Sequence, residues 1–123
     1  MSKKILIVDD SATVRQQVGL ALSQVGHEVL EAVDGQDGLE RIGQGGIDLV
    51  ICDVNMPRMD GIEMVTRAKS EPANSELPII MLTTEGDPSL IARAKKAGAK
   101  GCIVKPFKAE LLVGAVKKLT NAA

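Results

Sequence analysis

Four short apolar runs stand out along the chain, each stopped by residues with polar side chains or by a turn. Ile5-Leu6-Ile7-Val8 ends at Asp9-Asp10, Leu49-Val50-Ile51-Cys52 at Asp53, and Ile79-Ile80-Met81-Leu82 at Thr83-Thr84. Gly101–Val104 ends at Lys105-Pro106-Phe107. Continuous apolarity without alternation, rich in β-branched side chains, predicts strands covered on both faces. A weaker run from Glu28 to Ala32 predicts one more strand. Between the runs the period changes to that of a helix. Val14, Val18, Ala21, Leu22 and Val25 recur behind Ser11, a residue suited to cap a helix, and Gly26 stops it. Asp34 precedes a helix with Leu39 and Ile42 on one face, closed by Gly45-Gly46. Ile62, Met64, Val65 and Ala68 mark a third, released at Glu71-Pro72. Asp87-Pro88 opens a fourth that runs through Ala97, with proline in the first turn. Leu111, Leu112, Ala115, Val116 and Leu119 mark the last. Strands alternating with helices predict an α/β fold, a doubly wound (βα)5 parallel sheet with right-handed crossovers and helices on both faces.

Composition narrows the function classes. A chain of 123 residues is one domain's worth, and a domain of this size buries about two-thirds of its extended surface, enough for a core without disulfides or structural metal. Fifteen Lys+Arg against sixteen Asp+Glu leave a formal charge of -1, without the concentrated basic field that nucleic acid requires. One Phe, no Tyr and no Trp exclude base-stacking platforms and aromatic cages. Cys52 and Cys102 stand far apart in no cysteine-rich pattern, which fits a reducing compartment. Lys3-Lys4 is followed by too few apolar residues for a signal peptide, and no stretch approaches a membrane span. The expectation is a cytoplasmic domain with no membrane insertion.

In an open parallel sheet, ligands bind outside the carboxyl ends of the strands. The residues predicted there are Asp9, Asp10, Asp53, Thr83, Thr84 and Lys105. An aspartate after a strand is an ordinary turn former, but hits on four strands together point to a site. Neighbouring carboxylates repel and raise one another's pKa unless a cation intervenes. Mg²⁺ suits an all-oxygen cluster that also engages phosphate oxygens. Lys105 adds a long-stemmed point charge for a phosphoryl oxygen or for the carboxylates, and Thr83 adds a hydroxyl donor. Other chemistries lack their residues. Gly43-Gln44-Gly45-Gly46 has neither the spacing nor the place of a dinucleotide fingerprint, and no phosphate-loop motif exists. The sole histidine, His27, lies after the first helix as an ordinary surface or edge residue, and no zinc-ligand pattern is present.

Asp9-Asp10, the segment Asp53-Val54-Asn55-Met56-Pro57-Arg58-Met59-Asp60-Gly61, Thr83-Thr84 and Lys105-Pro106-Phe107 together resemble a two-component response-regulator receiver domain. The resemblance runs from residue 3 to about 120, and the segment after Asp53 is most similar to the chemotaxis receivers. It implies a flavodoxin-like fold with strand order 2-1-3-4-5. It also implies that residues 1–123 form one receiver domain with no output domain, so that output is a protein contact, a phosphotransfer or both.

Carried over by residue, the resemblance makes Asp53 the phosphoacceptor. Asp10 becomes a direct Mg²⁺ ligand with Asp53, Asp9 a ligand mainly through water, and the Asn55 main-chain carbonyl a further ligand. Thr83 bonds a phosphoryl oxygen as the switch residue, Thr84 helps through its N–H, and Lys105 pairs with the phosphoryl group ahead of a cis bond to Pro106. The implied activity is not that of a conventional enzyme: the domain catalyses its own phosphorylation and dephosphorylation. Implied partners are a sensor histidine kinase or phosphotransfer protein, a downstream target (a flagellar motor switch in the chemotaxis case) and a phosphatase. An intermediate or diffusible regulator of another phosphorelay is the alternative, and a phosphate-independent scaffold is a third reading. One departure stands out. Cys102 occupies a position where the family often carries Tyr or Phe, whose ring moves inward with the switch threonine. A small thiol cannot sweep that volume, and its bland role is a core-facing side chain. Output is therefore expected through the loop after Thr83 and the helix after Pro88, on a face comprising about Pro88–Ala97, Gly101–Val104 and Ala109–Leu119. Met56 and Met59 are expected to pack under the loop after Asp53, Gly61 to permit a tight backbone approach, and Phe107 to pack beside the site.

Overall fold

The predicted periods resolve into five strands and five helices in a computed structural model, which describes residues 3–56, 59–84 and 87–120. Pro57 and Arg58 of the segment after Asp53, and Glu85–Gly86 of the loop after Thr84, lie outside the described residues. The strands are β1 (Lys4–Val8), β2 (Glu28–Ala32), β3 (Leu49–Asp53), β4 (Ile79–Thr83) and β5 (Gly101–Val104). All pairings are parallel, in the order β2-β1-β3-β4-β5. Every residue of β3 and β4 is buried, whereas the edge strands β2 and β5 are only partly covered. That difference is why the central strands read as unbroken apolar runs and β2 did not.

Strand alternation sends successive side chains to opposite faces. Ile5, Ile7, Leu49, Ile51, Ile80, Leu82 and Ile103 meet Val18, Leu22, Leu112 and Val116 of α1 (Ala12–Ser23) and α5 (Ala109–Thr120). Leu6, Val8, Val50, Cys52, Ile79 and Met81 meet the second core layer, under α2 (Gly35–Gly43), α3 (Gly61–Lys69) and α4 (Pro88–Ala97).

The helix starts follow their caps. Ser11 Oγ accepts from Val14 N–H at 3.3 Å, Asp34 from Asp37 N–H at 2.8 Å, and Asp60 from Glu63 N–H at 2.8 Å. Asp87 accepts from Ser89 N–H at 3.0 Å. The ends depart from expectation in two places. α1 stops at Ser23, so Val25 is not part of its apolar face and lies 52% exposed in the turn before Gly26, whose φ of 93° suits glycine. Leu111 is 60% exposed, because Leu112 and Val116 carry the packing of α5. After α3 comes a 3-10 turn at Pro72–Asn74 that periodicity did not predict. The Lys69 ammonium donates to the carbonyls of Asn74, Ser75 and Leu77, a tertiary cap for that turn. His27 sits at the β2 edge, its Nδ1 accepting from Lys3 N–H at 3.2 Å.

Candidate functional site

Register brings the acidic residues together. Val8 lies opposite Cys52 on neighbouring β1 and β3, so the next residues, Asp9 and Asp53, emerge side by side at the carboxyl edge. Both continue the row of Ile5-Ile7 and Leu49-Ile51, on the α1 and α5 side, and Lys105 continues the row of Ile103 from β5. The Lys105 ammonium reaches between them, 3.1 Å from Asp53 Oδ1 and 3.3 Å from Asp9 Oδ2. Asp9 and Asp53 are 1% and 5% exposed. Asp10 is exposed, yet it offers an oxygen to the same cluster, in which one oxygen from each of Asp9, Asp10 and Asp53 lies within 4.8 Å of the others.

The electrostatics follow from burial and crowding. Burial pushes the Asp53 pKa up, the Asp9 charge pushes it further, and the Asp10 charge adds to this. Lys105 pulls it back without cancelling the rise. For Lys105, burial works against the charged form, but hydrogen bonds and charges from Asp53 and Asp9 outweigh it and hold its pKa above that of an ordinary lysine. The carboxylates outnumber the ammonium, and the donors are hard oxygens, a set that fits a divalent cation.

The other predicted residues surround this cluster. Thr83 ends β4 fully buried, on the face of Ile79 and Met81, and its carbonyl accepts from Lys105 N–H at 2.7 Å. Thr84 is exposed beside it. Asn55 is exposed two residues beyond Asp53. The Lys105–Pro106 bond is cis. Cys102 lies opposite Met81 and packs against the α2–α4 layer, part-buried rather than sealed. Burial raises its thiol pKa, with Lys95 opposing, and that is the environment of an unreactive thiol. Phe107 packs against the α1 and α5 layer. Met56 and Met59 are buried in the other core layer.

Gly61 meets the expectation of close approach most directly. A methyl carbon there would lie 2.1 Å from the Asp53 carbonyl oxygen, and Gly61 N–H donates to Val54 O at 2.8 Å. Two contacts escaped sequence reasoning. The buried Cys52 thiol donates to the Asp53 carbonyl at 3.3 Å, its own pKa pushed far up by burial and by Asp53, Asp9 and Asp60. Arg15 donates from Nη1 to the Asp9 carbonyl at 2.7 Å. The only signal for the latter was an arginine one turn beyond the Ser11 cap, where helical side chains lean back toward the N-terminus.

A doubly wound sheet with clustered carboxylates and a lysine at its carboxyl edge is the arrangement of receiver domains, and the chain belongs to that family. The response regulator receiver domain matches residues 5–117. Its relatives include the chemotaxis protein CheY1 of Helicobacter pylori, 41% identical over 111 residues that cover 89% of this chain and 90% of that protein. A CheY homolog of Campylobacter jejuni is 40% identical, with 89% and 85% covered. Among solved structures, the Vibrio cholerae chemotaxis protein CheY4 superposes with a TM-score of 0.91 at 39% identity, over 97% of this chain and 99% of that one. The acidic cluster is consistent with the phosphoacceptor site of such domains. Among the described residues no helix is long and apolar enough to cross a membrane.

Proposed function

We propose that this protein is a response-regulator receiver that takes a phosphoryl group from a sensor histidine kinase or phosphotransfer protein onto Asp53. The carrying observation is the position of Asp53, buried at the carboxyl end of β3 beside Asp9, with the Lys105 ammonium 3.1 Å from its Oδ1. In the proposed step an Asp53 oxygen attacks the phosphorus of a phosphohistidine. The P–N bond breaks, its electron pair stays on the imidazole nitrogen, and an acyl phosphate forms. Asp10 and Asp53 with the Asn55 carbonyl would hold Mg²⁺ directly, and Asp9 would hold it through water. Bound Mg²⁺ supplies neutralising charge for the phosphoryl oxygens. Lys105 shifts from the free carboxylates to a phosphoryl oxygen, while the Thr83 hydroxyl and the Thr84 N–H donate to others. Positioning and charge neutralisation are most of what this chemistry asks of a protein, so the domain catalyses its own phosphorylation and later hydrolysis.

The relatives, chemotaxis proteins matched over most of their own length, support a chemotaxis role; with that reading go a protein target such as a flagellar motor switch, a phosphatase and a cytoplasmic setting. Part-buried Cys102 favours a second reading, an intermediate or diffusible regulator in another phosphorelay, because its thiol cannot reproduce the movement of a ring. Acetyl phosphate with Mg²⁺ should add one phosphoryl mass to the intact protein and none to Asp53→Asn. The same adduct on the variant rejects the assignment. Profiling against histidine kinases separates the pathways: preferred transfer from a chemotaxis kinase supports the first reading, and preferred transfer from another kinase or phosphotransfer protein the second.

A further inference from the structure

The Asp10 carboxylate has no hydrogen-bond partner among the described residues, so its aim depends on the backbone that carries it. That backbone is gripped at one point. The Asp9 carbonyl oxygen, part of the planar peptide joining Asp9 to Asp10, accepts from Arg15 Nη1 at 2.7 Å. The same guanidinium donates from Nε to Glu31 Oε1 at 2.9 Å, and the Arg15 side chain is 15% exposed. Glu31 sits on β2 opposite Ile7 of β1, so the arginine ties α1, the neighbouring strand and the end of β1 together. The neighbouring peptides on either side of it are held as well. Asp9 N–H donates to Ala32 O at 3.1 Å, and Ser11 N–H donates to Asp9 Oδ1 at 2.9 Å.

We propose that Arg15 is a positioning residue for the metal site: clamped by Glu31, it fixes the Asp9–Asp10 peptide plane and so the direction in which Asp10 presents its carboxylate. This rests on the reading of Asp10 as a ligand. Groups that orient metal ligands contribute strongly to affinity, commonly ten- to a hundred-fold on removal. A positive charge near a cation site also repels the cation, which acts in the opposite direction. Glu31 offsets that charge, so replacing both residues by neutral ones leaves the net charge unchanged and exposes the geometric effect.

Mg²⁺ alone is the probe, titrated by calorimetry into the parent, Asp10→Ala, Arg15→Met/Glu31→Gln, Arg15→Lys and Glu31→Gln, with amide spectra of each. Parent binding that Asp10→Ala abolishes establishes the underlying reading, and a parent that does not bind Mg²⁺ overturns both. Given parent binding, the paired variant should bind about tenfold more weakly while melting cooperatively, with the Asp10 amide shifted before metal is added. Arg15→Lys, which keeps the charge and one donor, should recover part of the loss. Glu31→Gln, changed only at an exposed position, should weaken binding about two- to threefold and serves if the paired variant does not fold. Paired-variant affinity within about twofold of the parent, or tighter binding, overturns the positioning role. So does unchanged affinity in Glu31→Gln if that variant alone folds.

Discussion

Gly61→Ala is a sharp test of how the Asp53 backbone is held. The added methyl carbon would lie 2.1 Å from the Asp53 carbonyl oxygen, 2.9 Å from its carbon and 2.8 Å from Met81 Cε. A carbon–oxygen contact needs about 3.3 Å, so something must retreat by roughly 1 Å. Met81 Cε ends a flexible side chain and can swing. The Asp53 carbonyl cannot move without carrying Val54, whose own carbonyl accepts the Gly61 N–H at 2.8 Å. Overpacking of this kind costs about 1–3 kcal/mol, and a weakened hydrogen bond adds about 1 kcal/mol. Alanine's helix propensity returns up to about 1 kcal/mol. The net loss is about 1–3 kcal/mol, which for a domain of this length lowers Tm by about 4–12 °C. Gly114→Ala is the matched control, because nothing lies within 4 Å of the added carbon on the exposed side of α5. It should gain about 0.5–1 kcal/mol. Thermal and urea melts of both variants read the two signs directly. A Gly61→Ala protein that melts with the parent, beside a stabilised Gly114→Ala, would refute the crowding argument.

Other consequences follow from the charge cluster. Asp10→Ala should weaken Mg²⁺ binding strongly and raise the metal-free Tm by relieving carboxylate repulsion; calorimetry and a melt in chelator check each half. The Asp53 pKa is raised in the folded protein, so ionised Asp53 opposes folding at neutral pH, and this penalty disappears as pH falls through the folded pKa. Asp53→Asn should therefore be more stable than the parent at pH 7 without metal, with the gap closing in acid. A gap independent of pH in urea melts would count against that cause. Beryllofluoride, a phosphoryl mimic, should shift amides across Ser89–Lys95 with little change at Cys102, and Thr83→Ala should diminish those shifts while still binding the mimic. Changes confined to residues touching the cluster would show that no switch propagates.

Much of this architecture is written locally. The runs of β1, β3 and β4 are apolar throughout because both sheet faces are covered, and Ser11, Asp34, Asp60 and Asp87 cap helices through bonds spanning two or three residues. Strand ends are equally local, so Asp9, Asp53, Thr83 and Lys105 could be nominated one strand at a time. The strand order was legible only through the family resemblance, since parallel strands are joined by crossovers that carry no record of their neighbours. Helix ends were less legible: Val25 fits the helical period yet lies beyond α1, because a turn made its place.

Tertiary structure alone decided what each nominated residue meets. Asp9 and Lys105 are 96 positions apart and Asp53 and Lys105 are 52 apart, and only the sheet register and alternation place that ammonium between two buried carboxylates. The Gly61 approach to Asp53, the Cys52 thiol on the Asp53 carbonyl, and the Arg15 bridge between Asp9 and Glu31 have the same character. Periodicity records which side of an element faces the core. Close packing between elements determines which atoms meet there, and that in turn sets the charge and pKa on which the site's chemistry depends.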